Sequence, residues 1–162
     1  MIKNVFRKLL KLDNSKTSPQ NPSPIPHSDP NSPYCKLGGE AGVRAIAERF
    51  YDVMENDPDT EELLALHPQP MTHIRQKFFE FLSGWLGGPP LFEEKYGHPR
   101  LRARHLPFKI DTKLRDQWLH CMFIVLEERV DDPMLKMQLR QRFAALAHHM
   151  LNQPQPPTSH AE

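Results

Sequence analysis

The sequence predicts an all-helical globular domain with an extension at each end. Four stripes of apolar residues recur at helical spacing between residues 34 and 152, and no alternating run is long enough for a strand. At 162 residues the chain can bury one hydrophobic core. The stripes are Val43, Ile46, Ala47, Phe50 and Met54; Ile74, Phe78, Phe81, Leu82 and Trp85; Leu114, Trp118, Cys121, Met122 and Val125; and Leu135, Leu139, Phe143, Leu146 and Met150.

The terminal segments, residues 1–33 and 153–162, are predicted to lie outside the globular domain of residues 34–152. Residues 1–13 place apolar side chains opposite lysine and arginine, which predicts a short basic amphipathic helix. This helix either makes weak contact with a membrane surface or stays a frayed extension, because so short a segment is marginal as a helix. The linker and the C-terminal tail are rich in Ser, Asn, Pro and Gln and are predicted to be disordered.

Turn signals separate the four predicted helices. Asp111 and Asp132 are predicted N-caps of the third and fourth helices. The connection from Leu86 to Ile110 lacks helical periodicity, so it is predicted to be irregular apart from one short turn near its end, although its aromatic residues favour an ordered structure. The breaks are at Gly38-Gly39, Asp57-Pro58, His67-Pro68, Gly87-Gly88-Pro89-Pro90 and Asp132-Pro133.

Composition excludes several classes of function. The formal net charge is +1, so no overall field favours nucleic acid, and we expect no nucleic-acid partner. The two cysteines match neither a metal-finger spacing nor a disulfide scaffold, which favours a reducing, cytoplasmic setting. No apolar run suggests a membrane span or a secretory signal. Monomer and homodimer both remain open.

His105 is the first candidate for metal chemistry. Pro99 leads into a short predicted turn, and Pro107 fixes its own φ and is expected to push Leu106 away from helical geometry. The turn should therefore end at or near His105, with its imidazole at a helix terminus. A metal ligand and a plain structural histidine are both consistent with this pattern. No HxxxH or HExxH pattern is present, so a zinc site is not predicted.

Two further side chains suit a pocket. Trp118 lies on the buried face of the third predicted helix, and its indole N–H needs an acceptor, either a carbonyl or a ligand. Tyr51 follows Phe50, and the two must point in different directions on a helix. The apolar wall from Ile74 to Leu82 is either ordinary core or a surface for a flat aromatic ligand.

A dense set of motifs extends from residue 34 to about residue 151. It comprises Tyr34-x-x-Leu37-Gly38-Gly39, Phe50-Tyr51, Phe81-Leu82-x-x-Trp85-Leu86-Gly87-Gly88-Pro89, Gly97-His98-Pro99-Arg100-Leu101-Arg102-x-Arg104-His105-x-Pro107-Phe108, and Arg115-Asp116-x-Trp118-Leu119-x-Cys121-Met122. With these motifs the chain resembles the second group of the truncated haemoglobins. The resemblance implies an all-α truncated globin fold, a two-over-two helical sandwich around haem.

The resemblance also implies a cofactor, haem b, and a set of site residues. His105 matches the proximal ligand of the haem iron, and Tyr51 and Trp118 match distal hydrogen-bond donors, with His67 as a third donor. Ile74 is expected to restrict the direct route to the iron. Contacts with the haem are implied for Phe50, Ile74, Phe78, Phe81, Leu82 and Phe108, and contacts with its propionates for Lys77 and Arg104.

In function, the resemblance implies binding of O2 and of other small ligands, namely NO, CO or peroxide. Several distal donors favour retention of the ligand, which argues against bulk oxygen transport and favours redox chemistry: NO detoxification or a peroxide reaction, supported by an unidentified reductase. The alternatives are a non-enzymatic gas sensor and an oxygen carrier or store. A haem-free helical interaction module is a third class, which the motifs disfavour.

Overall fold

The computed structural model describes residues 28–154, so the predicted helix of residues 1–13, most of the predicted linker and the predicted tail beyond residue 154 lie outside the described residues. Helices and connections make up this part of the chain, which contains no strand. A 3-10 turn spans Pro58–Thr60. The helices are α1 (Pro33–Lys36), α2 (Gly39–Asn56), α3 (Glu61–Ala65), α4 (Thr72–Trp85), α5 (Leu91–Tyr96), α6 (Leu101–His105), α7 (Thr112–Arg129) and α8 (Pro133–His149).

The four long helices confirm the four predicted stripes, and two of them begin at the predicted caps. The carboxylate of Asp111 accepts a hydrogen bond from the backbone N–H of Leu114 at 2.9 Å. The carboxylate of Asp132 accepts one from the N–H of Met134, also at 2.9 Å, and Pro133 fills the first helical position. Both caps satisfy N–H groups that a helix start leaves without partners.

The long helices form two pairs, α2 with α4 and α7 with α8, and α2 also packs on α7. The core lies between them, where Phe50, Leu82, Met122, Leu139 and Phe143 are each at most 1% exposed. Burial of side chains this large is the main stabilising contribution to such a domain. Within residues 28–154, no helix is both long and apolar enough to cross a membrane.

Two local predictions were wrong. The connection between residues 86 and 110 contains a second helix, α5, in which Phe92 is the one buried residue, and this is too little for a periodic signal. Leu106 keeps right-handed helical dihedrals, φ −54° and ψ −35°, because its N–H still bonds the carbonyl of Arg102 at 3.1 Å. The steric bias from Pro107 is a preference that this hydrogen bond offsets. The turn nevertheless ends at His105, as predicted.

Candidate functional site

A largely apolar cavity lies among α2, α4, α6, α7 and α8, and ten of the twelve residues expected at the site line it. They are Tyr51, His67, Ile74, Lys77, Phe78, Phe81, Arg104, His105, Phe108 and Trp118. Sequence reasoning missed ten other lining residues: Leu63, Leu66, Phe92, Leu101, Ile110, Leu114, Arg115, Leu146, Ala147 and Met150. Leu114, Leu146 and Met150 belong to predicted stripes. Leu114 lies one turn before Trp118, and Leu146 and Met150 lie about one and two turns after Phe143, so following these stripes in both directions could have found them.

His105 reaches this cavity from the last residue of α6. Its Nδ1 lies 2.6 Å from the carbonyl oxygen of Leu101, and since a carbonyl only accepts, Nδ1 carries the proton. Burial lowers the pKa of His105, which favours the neutral ring. The neutral ring therefore keeps its lone pair on Nε2, the form of imidazole that binds a metal ion. The bond to the backbone carbonyl fixes both the tautomer and the orientation of the ring.

Asn152 fixes the chain that follows His105, and sequence reasoning missed it. Its amide nitrogen donates to the carbonyls of His105 and Phe108, at 3.2 and 2.8 Å. Its amide oxygen accepts the backbone N–H of Ile110 at 2.9 Å. These bonds join the segment between α6 and α7 to the chain just beyond α8. Nothing in the sequence marks Asn152, the last residue of the predicted domain, as such a clamp.

Tyr51 on α2 and Trp118 on α7 contribute polar hydrogens to an otherwise apolar lining. Within residues 28–154, neither the Tyr51 hydroxyl nor the Trp118 indole N–H takes part in a protein hydrogen bond. Burial raises the pKa of the Tyr51 hydroxyl, and the charge of Arg75 opposes this shift. Tyr51 therefore keeps its proton at neutral pH, and both groups can donate to a molecule in the cavity.

The ring of Phe50 supports both donors from behind. Its centroid lies 5.1 Å from that of Tyr51 and 5.2 Å from that of Trp118. Phe50 itself is 1% exposed and Leu82 is fully buried, and neither lines the cavity. Phe50 and Leu82 were expected to contact the cofactor directly. They lie instead one layer behind the residues that line the cavity. The apolar stripe of a helix is wide enough to face both the core and the cavity. The sequence does not show which apolar residues face the core and which face the cavity.

His67 differs from its expected role as a third donor. Its Nδ1 lies 2.8 Å from the carbonyl oxygen of Leu63, so Nδ1 donates there and Nε2 is an acceptor in the neutral ring. Burial lowers the pKa of His67, which keeps the ring neutral near pH 7. In this form Nε2 of His67 can accept a hydrogen bond but not donate one.

Two cations at the cavity fit an anionic ligand. Lys77 and Arg104 line the cavity, and neither forms an ion pair with any carboxylate among residues 28–154. Burial and the neighbouring charge of Arg104 lower the pKa of Lys77, so each cation destabilises the other. A ligand carboxylate would relieve this repulsion through charge-assisted hydrogen bonds. Aromatic walls, an imidazole lone pair and paired cations together fit haem, a flat porphyrin with an iron and two carboxylates.

These features define a helical haem-pocket protein, and comparison with known proteins supplies the family. A model of the bacterial-like globins matches residues 32–152, and the chain belongs to this family. A cold-adapted truncated haemoglobin from the Antarctic marine bacterium Pseudoalteromonas haloplanktis is 57% identical, with a TM-score of 0.76, over 76% of this chain and 100% of that one. A group II 2-on-2 haemoglobin from Agrobacterium tumefaciens is 37% identical, with a TM-score of 0.75, over 80% and 100%.

A third solved structure is described as a truncated oxygen-avid haemoglobin from Bacillus subtilis. It is 36% identical, with a TM-score of 0.69, and covers 75% of this chain and 100% of that chain. These matches confirm the predicted truncated globin fold, the two-over-two sandwich of α2 with α4 and α7 with α8. Haem b is the cofactor of this family, and its function is the binding of diatomic ligands at the haem.

Proposed function

We propose that the chain holds haem b with the Nε2 of His105 as the axial ligand of the iron, and retains O2 through hydrogen bonds from Tyr51 and Trp118. The observation that carries the proposal is that two donors with no hydrogen-bond partner among residues 28–154 share one apolar cavity with an imidazole whose Nδ1 is already bonded. Lys77 and Arg104 bind the propionates. Phe50 and Leu82 support the walls.

The hydrogen bonds from Tyr51 and Trp118 should affect the dissociation rate of O2 more than its association rate. Oxygen bound to ferrous iron carries partial negative charge, so a hydrogen bond to it stabilises the bound form. Each bond contributes about 1 to 3 kcal/mol, which slows dissociation roughly 5- to 150-fold. Such retention suits a reaction on the ligand better than bulk transport, and the oxygen-avid relative from Bacillus subtilis is consistent with it.

We therefore infer redox chemistry on a small ligand. Ferrous haem iron would supply the one electron needed as dioxygen and nitric oxide combine to nitrate. In the alternative, reduction of peroxide to water at the haem would take two electrons and two protons, which an external reductant would have to supply. The apolar lining excludes bulk water from the ligand, and the donors hold it in place. A reductase of unknown identity must return the iron to the ferrous state between turnovers.

Two experiments, carried out one after the other, test the proposal. Absorption spectra of the ferric, ferrous and ferrous-carbonyl forms report whether haem is bound and how the iron is coordinated, and a chain that takes up no haem overturns the proposal. Stopped-flow mixing of the oxygenated protein with nitric oxide then tests the chemistry. We expect fast, stoichiometric formation of nitrate, whereas a slow and substoichiometric reaction would rule out the nitric oxide version.

A further inference from the structure

Arg75 on α4 binds one face of α2 through four hydrogen bonds. Its Nη1 lies 2.9 Å from the backbone carbonyl oxygen of Glu48 and 2.8 Å from a carboxylate oxygen of Glu48 and of Asp52, so its two hydrogens are shared among three acceptors. Its Nη2 donates to the carboxylate of Glu55, also at 2.8 Å. The arginine side chain is only 15% exposed, while the three carboxylates are 36 to 47% exposed.

These acceptors lie before and after Tyr51 along α2. Glu48, Asp52 and Glu55 lie at positions i, i+4 and i+7 of α2, and Tyr51 lies on the same face between them, three residues after Glu48 and four before Glu55. The guanidinium carbon of Arg75 is 5.7 Å from the centroid of the Tyr51 ring. The Arg75 side chain therefore binds α2 at residues before and after Tyr51 and also lies over the ring of Tyr51.

Arg75 itself does not line the cavity, but on α4 its neighbour Ile74 and, one turn on, Phe78 do. A purely structural role, in which Arg75 only joins α2 to α4, would explain the ion pairs. It would not require the guanidinium to lie near Tyr51, because Arg44 joins the same two helices elsewhere: its Nη1 donates to Gln76 at 2.9 Å. Arg44 provides a matched comparison that makes no contact with Tyr51.

We propose that Arg75 is a positioning residue for ligand retention: its hydrogen bonds to three acidic residues of α2 hold Tyr51 in place, so that the phenol hydroxyl stays within reach of the bound ligand. This rests on the proposed function, in which Tyr51 donates to the ligand. The fork of the guanidinium suits the task because it satisfies several acceptors in one fixed plane, which a lysine cannot do.

A double-mutant cycle on the haem-bound protein tests the coupling. The variants are Arg75→Gln, Tyr51→Phe and their combination, with Arg44→Gln as the control and Arg75→Lys as the milder change if Arg75→Gln fails to fold. The first measurement is the O2 dissociation rate, by mixing the oxygenated protein with CO. The second is the C–O stretching frequency of the ferrous-carbonyl form, which reports the polarity around the ligand and does not respond to a loss of stability alone.

We expect Arg75→Gln to accelerate O2 dissociation about fivefold or more and to shift the C–O frequency in the direction of Tyr51→Phe. In the Tyr51→Phe background the same change should have less than about a twofold effect, as should Arg44→Gln in the native background. Arg75→Lys should accelerate dissociation less than Arg75→Gln, in the same direction.

Two results would overturn the role of Arg75 and leave the proposed function intact. In one, Tyr51→Phe accelerates dissociation but Arg75→Gln, or Arg75→Lys in its place, does not. In the other, the arginine change has the same effect with and without the Tyr51 hydroxyl, or no more effect than Arg44→Gln. If Tyr51→Phe itself leaves dissociation and the C–O frequency unchanged, the proposed donor role of Tyr51 fails, and the role of Arg75 fails with it.

Discussion

The rings of Tyr51 and His67 meet edge to face, with their centroids 5.8 Å apart and their planes at 71°. Since Nδ1 of His67 donates to the carbonyl of Leu63, the neutral ring offers an acceptor at Nε2. The tyrosine offers a hydroxyl that donates. One wall of the cavity thus combines a donor, the Tyr51 hydroxyl, with an acceptor, Nε2 of His67.

Replacing Tyr51 with phenylalanine removes this hydroxyl and keeps the ring that packs on Phe50 and Phe78. Loss of one hydrogen bond to the ligand should accelerate O2 dissociation about tenfold, measured by stopped-flow displacement with CO. Tyr34→Phe, which removes a hydroxyl from a half-buried tyrosine outside the cavity, should leave the rate unchanged. Equal rates in the native protein and in Tyr51→Phe would contradict the donor role.

Trp118→Phe removes the indole N–H while an aromatic ring still fills the space beside Phe50 and Phe143. We expect O2 dissociation to rise roughly 5- to 20-fold, since a second donor is lost. Trp85→Phe is the matched control, because Trp85 packs on Phe143 at 4.7 Å but does not line this cavity. If both tryptophan variants change the rate alike, the effect comes from packing and the assignment of Trp118 is wrong.

Ile74→Ala tests whether the isoleucine obstructs entry of the ligand. Ile74 lines the cavity one turn before Phe78, so removal of its branched side chain should widen the approach and raise the CO association rate several-fold, measured by flash photolysis. The loss of stability should stay within about 2 kcal/mol, since the residue is only half-buried. Ile124→Ala, a half-buried control on α7 outside the cavity, should not alter association. An unchanged rate in Ile74→Ala would place the entry route elsewhere.

Glu80→Gln should change the pH dependence of stability. Burial raises the pKa of the Glu80 carboxyl, but hydrogen bonds from Gln76 and Lys95 outweigh it and bring the pKa below its usual 4.5. A carboxyl with a lowered pKa in the folded state stabilises the fold above pH 4.5, and this contribution disappears as the pH falls through the lower value.

We therefore expect Glu80→Gln to lower the free energy of unfolding by about 1 kcal/mol at neutral pH. The difference from the native protein should shrink as the pH falls below 4.5. Urea unfolding of the haem-bound protein across this range measures it, with the exposed Glu94→Gln as a control on α5. A difference that grows towards acid would show that the ionised carboxyl does not stabilise the fold.

The sequence alone predicts the long helices well, because apolar spacing, aspartate caps and proline breaks all agree. It also predicts that a short turn ends at His105, since Pro99 and Pro107 bracket that turn. It does not predict α5, in which Phe92 is the one buried residue. Sequence patterns do not predict a short helix of this kind, which is stabilised mainly by contacts with neighbouring elements.

At the site, the sequence shows which residue types are present but not what they bond. The tautomer of His67 depends on a carbonyl one turn earlier, and the clamp by Asn152 depends on where the chain beyond α8 lies. The sequence does not indicate a role for Arg75, for a similar reason. Its acidic partners on α2 become neighbours only once α2 and α4 are known to pack together.

The most direct test of the whole account is the resonance Raman spectrum of the ferrous protein, which contains an iron–histidine stretching band when an imidazole is the axial ligand. We predict this band in the native protein, its loss in His105→Gly, and its return when free imidazole is added to that variant. His98→Gly, which alters an exposed histidine of the same segment, should retain it. An unperturbed band in His105→Gly would contradict the assignment of His105 as the axial ligand.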